Sequence, residues 1–228
     1  MASQTAGAQA PGRFAGFPDE ALLFYEGLEA DNSKAYWNAN KDVYERAVRD
    51  PMLALLAALE PEFGAAKLFR PYRDVRFSRD KSPYKTHAGA VTGHRHGRYV
   101  QVSAEGLMVA GGYYQMAPDQ VTRYRAAVSD ERTGTELVEI TSRLAADGLT
   151  VAGERLKRAP RGIDPDHPRV DLLRHKGLYA YRSFPPARWL STRACLDRVA
   201  GTWRRMDPLV TWLDRQVGEP EAGAGEAG

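Results

Sequence analysis

The 228-residue sequence predicts one α+β domain, an antiparallel sheet of four or more strands flanked by N- and C-terminal helices. Two observations carry this. Apolar residues recur at helical spacing up to Leu59 and again from Ala117 onward, whereas from Leu68 to Ala110 they alternate with polar residues at period two. Helices gathered on either side of a run of strands separate the pattern from an alternating α/β fold.

The first helix is expected from Pro18, with Asp19 and Glu20 at its positive end and Ala21, Phe24, Tyr25 and Leu28 on its buried face. Asp31-Asn32-Ser33 makes a turn and caps a second helix carrying Trp37, Tyr44, Val48, Met52, Leu55, Leu56 and Leu59. Pro51 falls inside that stripe, so the helix either kinks there or restarts with Asp50 as its cap. Extended chain follows. Val75 and Phe77 alternate with Asp74, Arg76 and Ser78, Tyr84–Val91 reads as a returning strand, and residues 92–97 form a turn. Tyr99–Ala104 and Leu107–Ala110 form a hairpin about Glu105-Gly106, and Gly111–Tyr114 closes the region. Later helices are expected from Pro118 (Val121, Tyr124 and Val128 inward), from about Thr135 to Gly148, from Pro168 to Gly177, and from about Ser191 to Val217. Leu178–Phe184 reads as a strand between the last two.

Composition narrows the class of protein. Hydrophobic content of 43% and charged content of 27% belong to a soluble globular chain. A lone cysteine, Cys195, excludes an intramolecular disulfide and implies no oxidising compartment. Met1–Gly12 has neither the cationic start nor the apolar core of a secretory signal, and no apolar run nears the ~18 residues of a membrane span. A cytoplasmic protein without a membrane partner is therefore expected. Residues 1–15 and 218–228 read as disordered tails around a single domain at 16–217.

Positive charge is concentrated in one segment. Residues 70–86 hold six cations (Arg70, Arg73, Arg76, Arg79, Lys81, Lys85) against two acids (Asp74, Asp80), interleaved with Tyr72, Phe77 and Tyr84. That surplus exceeds the +3 of the whole chain, so the remainder is slightly acidic. Arginine offers a planar fork for carboxylate or phosphate and lysine a mobile point charge, so the segment is a candidate anion site. In it Arg73, Arg76, Lys81 and Lys85 hold the anion, Asp74 orients an arginine, and Tyr84 lines the pocket. The alternative is a solvated charged hairpin stitched by its own weak ion pairs.

A second basic stretch, Arg155, Lys157, Arg158 and Arg161, precedes Asp164–Lys176. If it folds against the first, Arg161, Arg174 and Lys176 complete one pocket, with His167 near its edge. His167, for its imidazole, and Asp80 are the candidates for acid–base catalysis, while Asp166 is read as the cap of the Pro168 helix. His94 and His96, with His87 before them, sit in a turn and anchor no metal-binding motif, so no metal is assigned. Cys195 reads as a buried small residue. Within 16–217 no Gly-x-Ser-x-Gly, Walker or Gly-x-Gly-x-x-Gly motif is present, and no cofactor is expected.

Three stretches resemble a known family. They are Arg-Asp-Val-Arg-Phe-Ser-Arg-Asp-Lys-Ser-Pro-Tyr-Lys-Thr (73–86), Gly-Gly-Tyr-Tyr-Gln-Met-Ala-Pro-Asp (111–119), and Leu-Lys-Arg-Ala-Pro-Arg-Gly-Ile-Asp-Pro-Asp-His-Pro followed by Asp-Leu-Leu-Arg-His-Lys (156–176). With the helical opening they make the chain similar, over roughly Phe17–Val217, to the bacterial and fungal family DUF2461. That family is defined by sequence, so the resemblance implies no catalytic role. The residues themselves lead to an enzyme or binding protein for a small phosphorylated or carboxylated ligand, held through residues 70–86. The alternative partner is nucleic acid, for which interleaved cations and aromatics supply phosphate contacts and base stacking.

Overall fold

Pro51 lies in a helical run that neither breaks nor restarts. The computed structural model, which describes residues 12–76, 79–93 and 97–221, carries α2 (Lys34–Val43) through a π-helical turn (Tyr44–Arg49) into α3 (Asp50–Phe63). The Asp50 amide donates to the Glu45 carbonyl, five residues back. This wider turn precedes a residue that has no N–H and whose ring crowds the carbonyl four residues earlier. Before it, α1 (Glu20–Ala30) buries Ala21, Phe24, Tyr25 and Leu28, the stripe its spacing predicts. The Ser33 hydroxyl caps α2 by accepting from the Tyr36 amide at 3.1 Å.

Six strands form one sheet: β1 (Ala66–Leu68), β2 (His87–Thr92), β3 (Gly97–Ser103), β4 (Gly106–Tyr113), β5 (Thr150–Ala152) and β6 (Leu178–Phe184). Their order is β1-β2-β3-β4-β6-β5 and every neighbouring pair is antiparallel. Register divides the side chains between two faces. Ala90, Val100 and Val109 stand in one row, with Arg98, Val102, Leu107 and Gly111 on the same face. The last helix, α7 (Ala194–Gln216), packs there: a Cβ at Gly111 would meet Met206 Sδ at 3.1 Å. The Trp203 indole N–H donates to the carbonyls of Tyr99 and Ala110 at 3.2 Å, and Phe63 meets Trp203 edge-on at 5.1 Å.

The opposite face carries His87, Gly89, Val91, Tyr99, Gln101, Met108, Tyr179 and Tyr181, and all of these but Gly89 are half-buried. A solvated face on an antiparallel sheet reads as alternation in sequence.

Several expected elements change extent. The alternation at Val75 and Phe77 forms no strand among the described residues. Residues 70–86 instead extend the β1–β2 connection, held by a Tyr72–Tyr84 bridge, the Arg73 amide on Pro83 O (2.9 Å) and the Lys85 amide on Pro71 O (2.8 Å). Phe77 and Ser78 lie outside the described residues, as do His94–His96 of the expected turn. Gly111–Tyr113 continue β4 rather than closing it. In α4 (Pro118–Ser129) the buried positions are Gln120, Tyr124 and Val128, with Val121 only half-buried. The next helix, α5 (Glu131–Ala146), begins ahead of Thr135 because the Asp130 carboxylate accepts from the Thr133 amide at 2.9 Å. The helix expected from Pro168 shrinks to α6 (Val170–Leu173).

Both ends reach into the domain. Phe14, placed in the expected tail, is buried against Phe17. Past Gly218, the Gln120 side chain donates to Gly218 O, Arg123 to Glu219 O, and the Glu221 amide to Asp119. Residues 1–11 and 222–228 lie outside the described residues. Among the described residues no helix is long and apolar enough to cross a membrane.

Candidate anion-binding site

The basic segment is anchored by aromatic packing. Tyr84 is buried with its ring stacked on Trp37 of α2, and Tyr72 completes the cluster 5.5 Å from Tyr84 and 6.0 Å from Trp37. Asn32, just before α2, fixes the backbone by accepting from the Tyr84 amide and donating to the Tyr84 carbonyl, both at 3.1 Å. Tyr84 is thus an anchor, not the pocket wall expected from sequence.

Beyond this anchor the charges pair with one another. Asp74 takes both Nε (3.0 Å) and Nη2 (2.7 Å) of Arg76, which holds its carboxyl down to about 2. Asp80 accepts from the Ser82 amide at 2.9 Å and from Arg73, and its carboxyl also falls to about 2. A carboxylate that stays ionised and committed as an acceptor is poorly suited to proton transfer near neutral pH. Lys81 Nζ donates to Val75 O at 3.0 Å, while Arg79 is exposed.

Nearer the sheet the balance differs. Lys85 is half-buried with Nζ 5.2 Å from the Phe69 ring centroid, and among the described residues neither Lys85 nor Arg70 forms an ion pair. Burial and then the charge of Arg70 lower the Lys85 pKa. Two residues on, half-buried His87 is lowered by burial first and then by Lys85 and Arg73. Four basic groups therefore crowd this end of the sheet, and only Arg73 has a carboxylate partner among the described residues.

The third motif lies elsewhere. Residues 70–86 enter β2 at His87, in line with Ser103, Gly106 and the Phe184 end of β6. The stretch 153–177 runs between β5, on the far edge, and the Leu178 end of β6. The two basic stretches sit at opposite edges and opposite strand ends, so Arg161 and Arg174 do not share a pocket with Lys85. Arg161 is exposed. Arg174 ties its own corner, pairing with Asp171 (3.1 Å) and donating to Leu156 O (2.8 Å) and Lys157 O (3.0 Å). His167 Nδ1 accepts from the Arg169 amide at 3.0 Å; Arg169, not Asp166, stands at the N-cap of α6, which has no side-chain cap, and the Asp166 amide donates to Asp164.

The third motif meets the second instead. Met116 N–H donates to Lys176 O at 3.0 Å, and a Cβ on Gly177 would fall 2.1 Å from Tyr114 O. A family model described as conserved hypothetical protein (DUF2461) matches residues 20–212, taking in all three motifs. The chain belongs to DUF2461. A search of curated proteins finds no match.

In this DUF2461 chain a cleft of ≈ 540 Å³ runs between α5 and α7. Its charges are largely satisfied within the fold: Arg215 pairs with Glu136, Arg204 with Glu62, and Asp207 with Arg98. Unmatched positive charge lies instead beside β2. His87, Tyr99 and Gln101 at that place are absent from the sequence-derived candidates, yet their alternation with Ala88, Ala90, Val100 and Val102 marks them as one face.

Proposed function

We propose that this DUF2461 protein binds, in the cytoplasm, a small phosphorylated or carboxylated anion at the end of the sheet where Arg70, Arg73, Lys85 and His87 gather. The observation that carries the reading is Lys85: a half-buried ammonium facing like charges with no carboxylate within ion-pair distance among the described residues. Crowded cations raise the free energy of the empty site, and an anion relieves that repulsion as it binds. The pairs Arg73–Asp80 and Arg76–Asp74 hold the hairpin in shape, so of the gathered groups it is Arg70, Lys85 and His87, without a carboxylate partner among the described residues, that meet the ligand. This distribution favours a compact ligand over an extended polyanion.

Thermal unfolding in increasing inorganic phosphate, sulfate and citrate tests the reading. An anion at a hundred times its dissociation constant adds about 2.7 kcal/mol, a rise on the order of 5–10 °C for a chain of this size. The rise is expected to vanish in Lys85→Ala and persist in Arg161→Ala, at the opposite corner. Equal rises in both variants would place the anion elsewhere, and no rise in the wild type would remove the reading for these anions.

A further inference from the structure

Beside the cations the half-buried face of the sheet offers aromatic rings. Phe69 continues β1, its amide donating to Gly89 O at 2.9 Å, and its ring lies 6.4 Å from that of Tyr99 at an interplanar angle of 33°. Tyr99 reaches across β2 onto Gly89, where an added Cβ would fall 2.2 Å from the phenol oxygen. Glycine is what lets the ring lie down against the sheet. The Tyr99 hydroxyl donates to Gln101 Oε1 at 2.8 Å, which fixes the amide and leaves its NH2 group without a protein partner among the described residues. His87 stands two residues from Gly89, about 6.6 Å along the strand. The Phe69 ring already carries Lys85, so of these two rings Tyr99 is the one left to receive a planar group.

We propose that the anion bound beside Lys85 and His87 is the phosphate of a nucleotide, whose base stacks on Tyr99 and takes a hydrogen bond from the Gln101 amide. The inference rests on the anion site proposed above and assigns its ligand class. The arrangement suits it: Lys85 Nζ lies 5.2 Å from the Phe69 ring, that ring lies 6.4 Å from Tyr99, and His87 shares its strand with Gly89 beneath the Tyr99 hydroxyl. The same chemistry is presented by a free nucleotide and by the end of a single strand. The short reach of the unpaired cations favours the free nucleotide.

Titration calorimetry of the whole chain with the four nucleoside 5′-monophosphates, ribose 5-phosphate, inorganic phosphate and a six-residue oligonucleotide tests it. At least one monophosphate is expected to bind about tenfold or more tighter than ribose 5-phosphate, the gain attributable to stacking. Tyr99→Leu should erase that gain and leave ribose 5-phosphate unchanged. Gly89→Ala, which evicts the ring without removing it, should act in the same direction if Tyr99→Leu is poorly folded. Monophosphates no tighter than ribose 5-phosphate would overturn the nucleotide inference and leave the anion site standing. Failure of all the phosphates would overturn both. An oligonucleotide binding tenfold tighter than every monophosphate would overturn the free nucleotide in favour of a strand.

Discussion

The rings of Trp37 and Tyr84 lie parallel, 7° apart in plane and 4.4 Å apart in centroid, and this stack joins the basic segment to the helical layer. Trp37 comes from α2 and Tyr84 from the returning arm of the hairpin, so the contact sets where Lys85 and His87 emerge. Truncating such a buried aromatic costs about 3–5 kcal/mol. Trp37→Ala is therefore expected to lower the melting temperature by on the order of 10 °C. Tyr84→Phe keeps the stack, and its hydroxyl has no protein partner among the described residues. It should stay within about 0.5 kcal/mol of wild type in the same denaturation experiment.

Acid should loosen the hairpin in a defined window. Asp74 and Asp80 have folded-state pKa values of about 2 against 3.8 for the free side chain. A depressed carboxyl contributes stability that is fully present above its unfolded value and lost as pH falls through the folded one. Hydrogen-exchange protection of the Arg73 and Lys85 amides, corrected for intrinsic rates, should hold above pH 4 and drop toward pH 2. Both carboxylates are exposed, so the melting temperature at pH 7 should change little in Asp74→Asn.

Burial pushes the Cys195 thiol up to about 12, which leaves almost no thiolate at neutral pH. Iodoacetamide at pH 8 is expected to label the protein only as it unfolds, at the rate of global opening. Fast native-state labelling would contradict the packing of α7.

Two glycines should respond with opposite sign. Gly153 has φ +152°, and a Cβ there would sit 1.8 Å from the Gly177 carbonyl oxygen, so Gly153→Ala should cost about 2 kcal/mol or more. Gly201 lies inside α7 with nothing within 4 Å of an added Cβ, so Gly201→Ala should gain roughly 0.5–1 kcal/mol. Urea unfolding of both variants checks the pair.

Legibility in the sequence tracked the length of the pattern. The strand at Leu178–Phe184 and the stripe of α1 are long enough for their periods to show, and the structure has both. With three residues, β5 carries no visible alternation. At Val75 the strand-like alternation with Asp74 and Arg76 belongs to an ion-paired loop segment, where charge and period cannot be told apart in sequence. The basic segment was visible as charge density. Which of its charges are neutralised was not, because Arg73–Asp80 closes across seven residues through turn geometry. Nor does spacing reveal that residues 153–177 return to the far edge of the sheet. His87 and Tyr99 matter only once the register sets them on one face.

The most direct test is to follow the imidazole signals of the five histidines by NMR across pH, with and without sulfate, assigning His87 through His87→Gln. Sulfate keeps a constant charge over this range, so any change belongs to the protein. His87 should titrate below the ordinary 6.5 without anion, and sulfate should raise its pKa while leaving that of His175 in place. By linkage, sulfate should then bind more tightly as pH falls through that value. In Lys85→Ala the starting pKa should move up and the sulfate response should shrink. A His87 pKa indifferent to sulfate, phosphate and citrate alike would contradict an anion site at this end of the sheet.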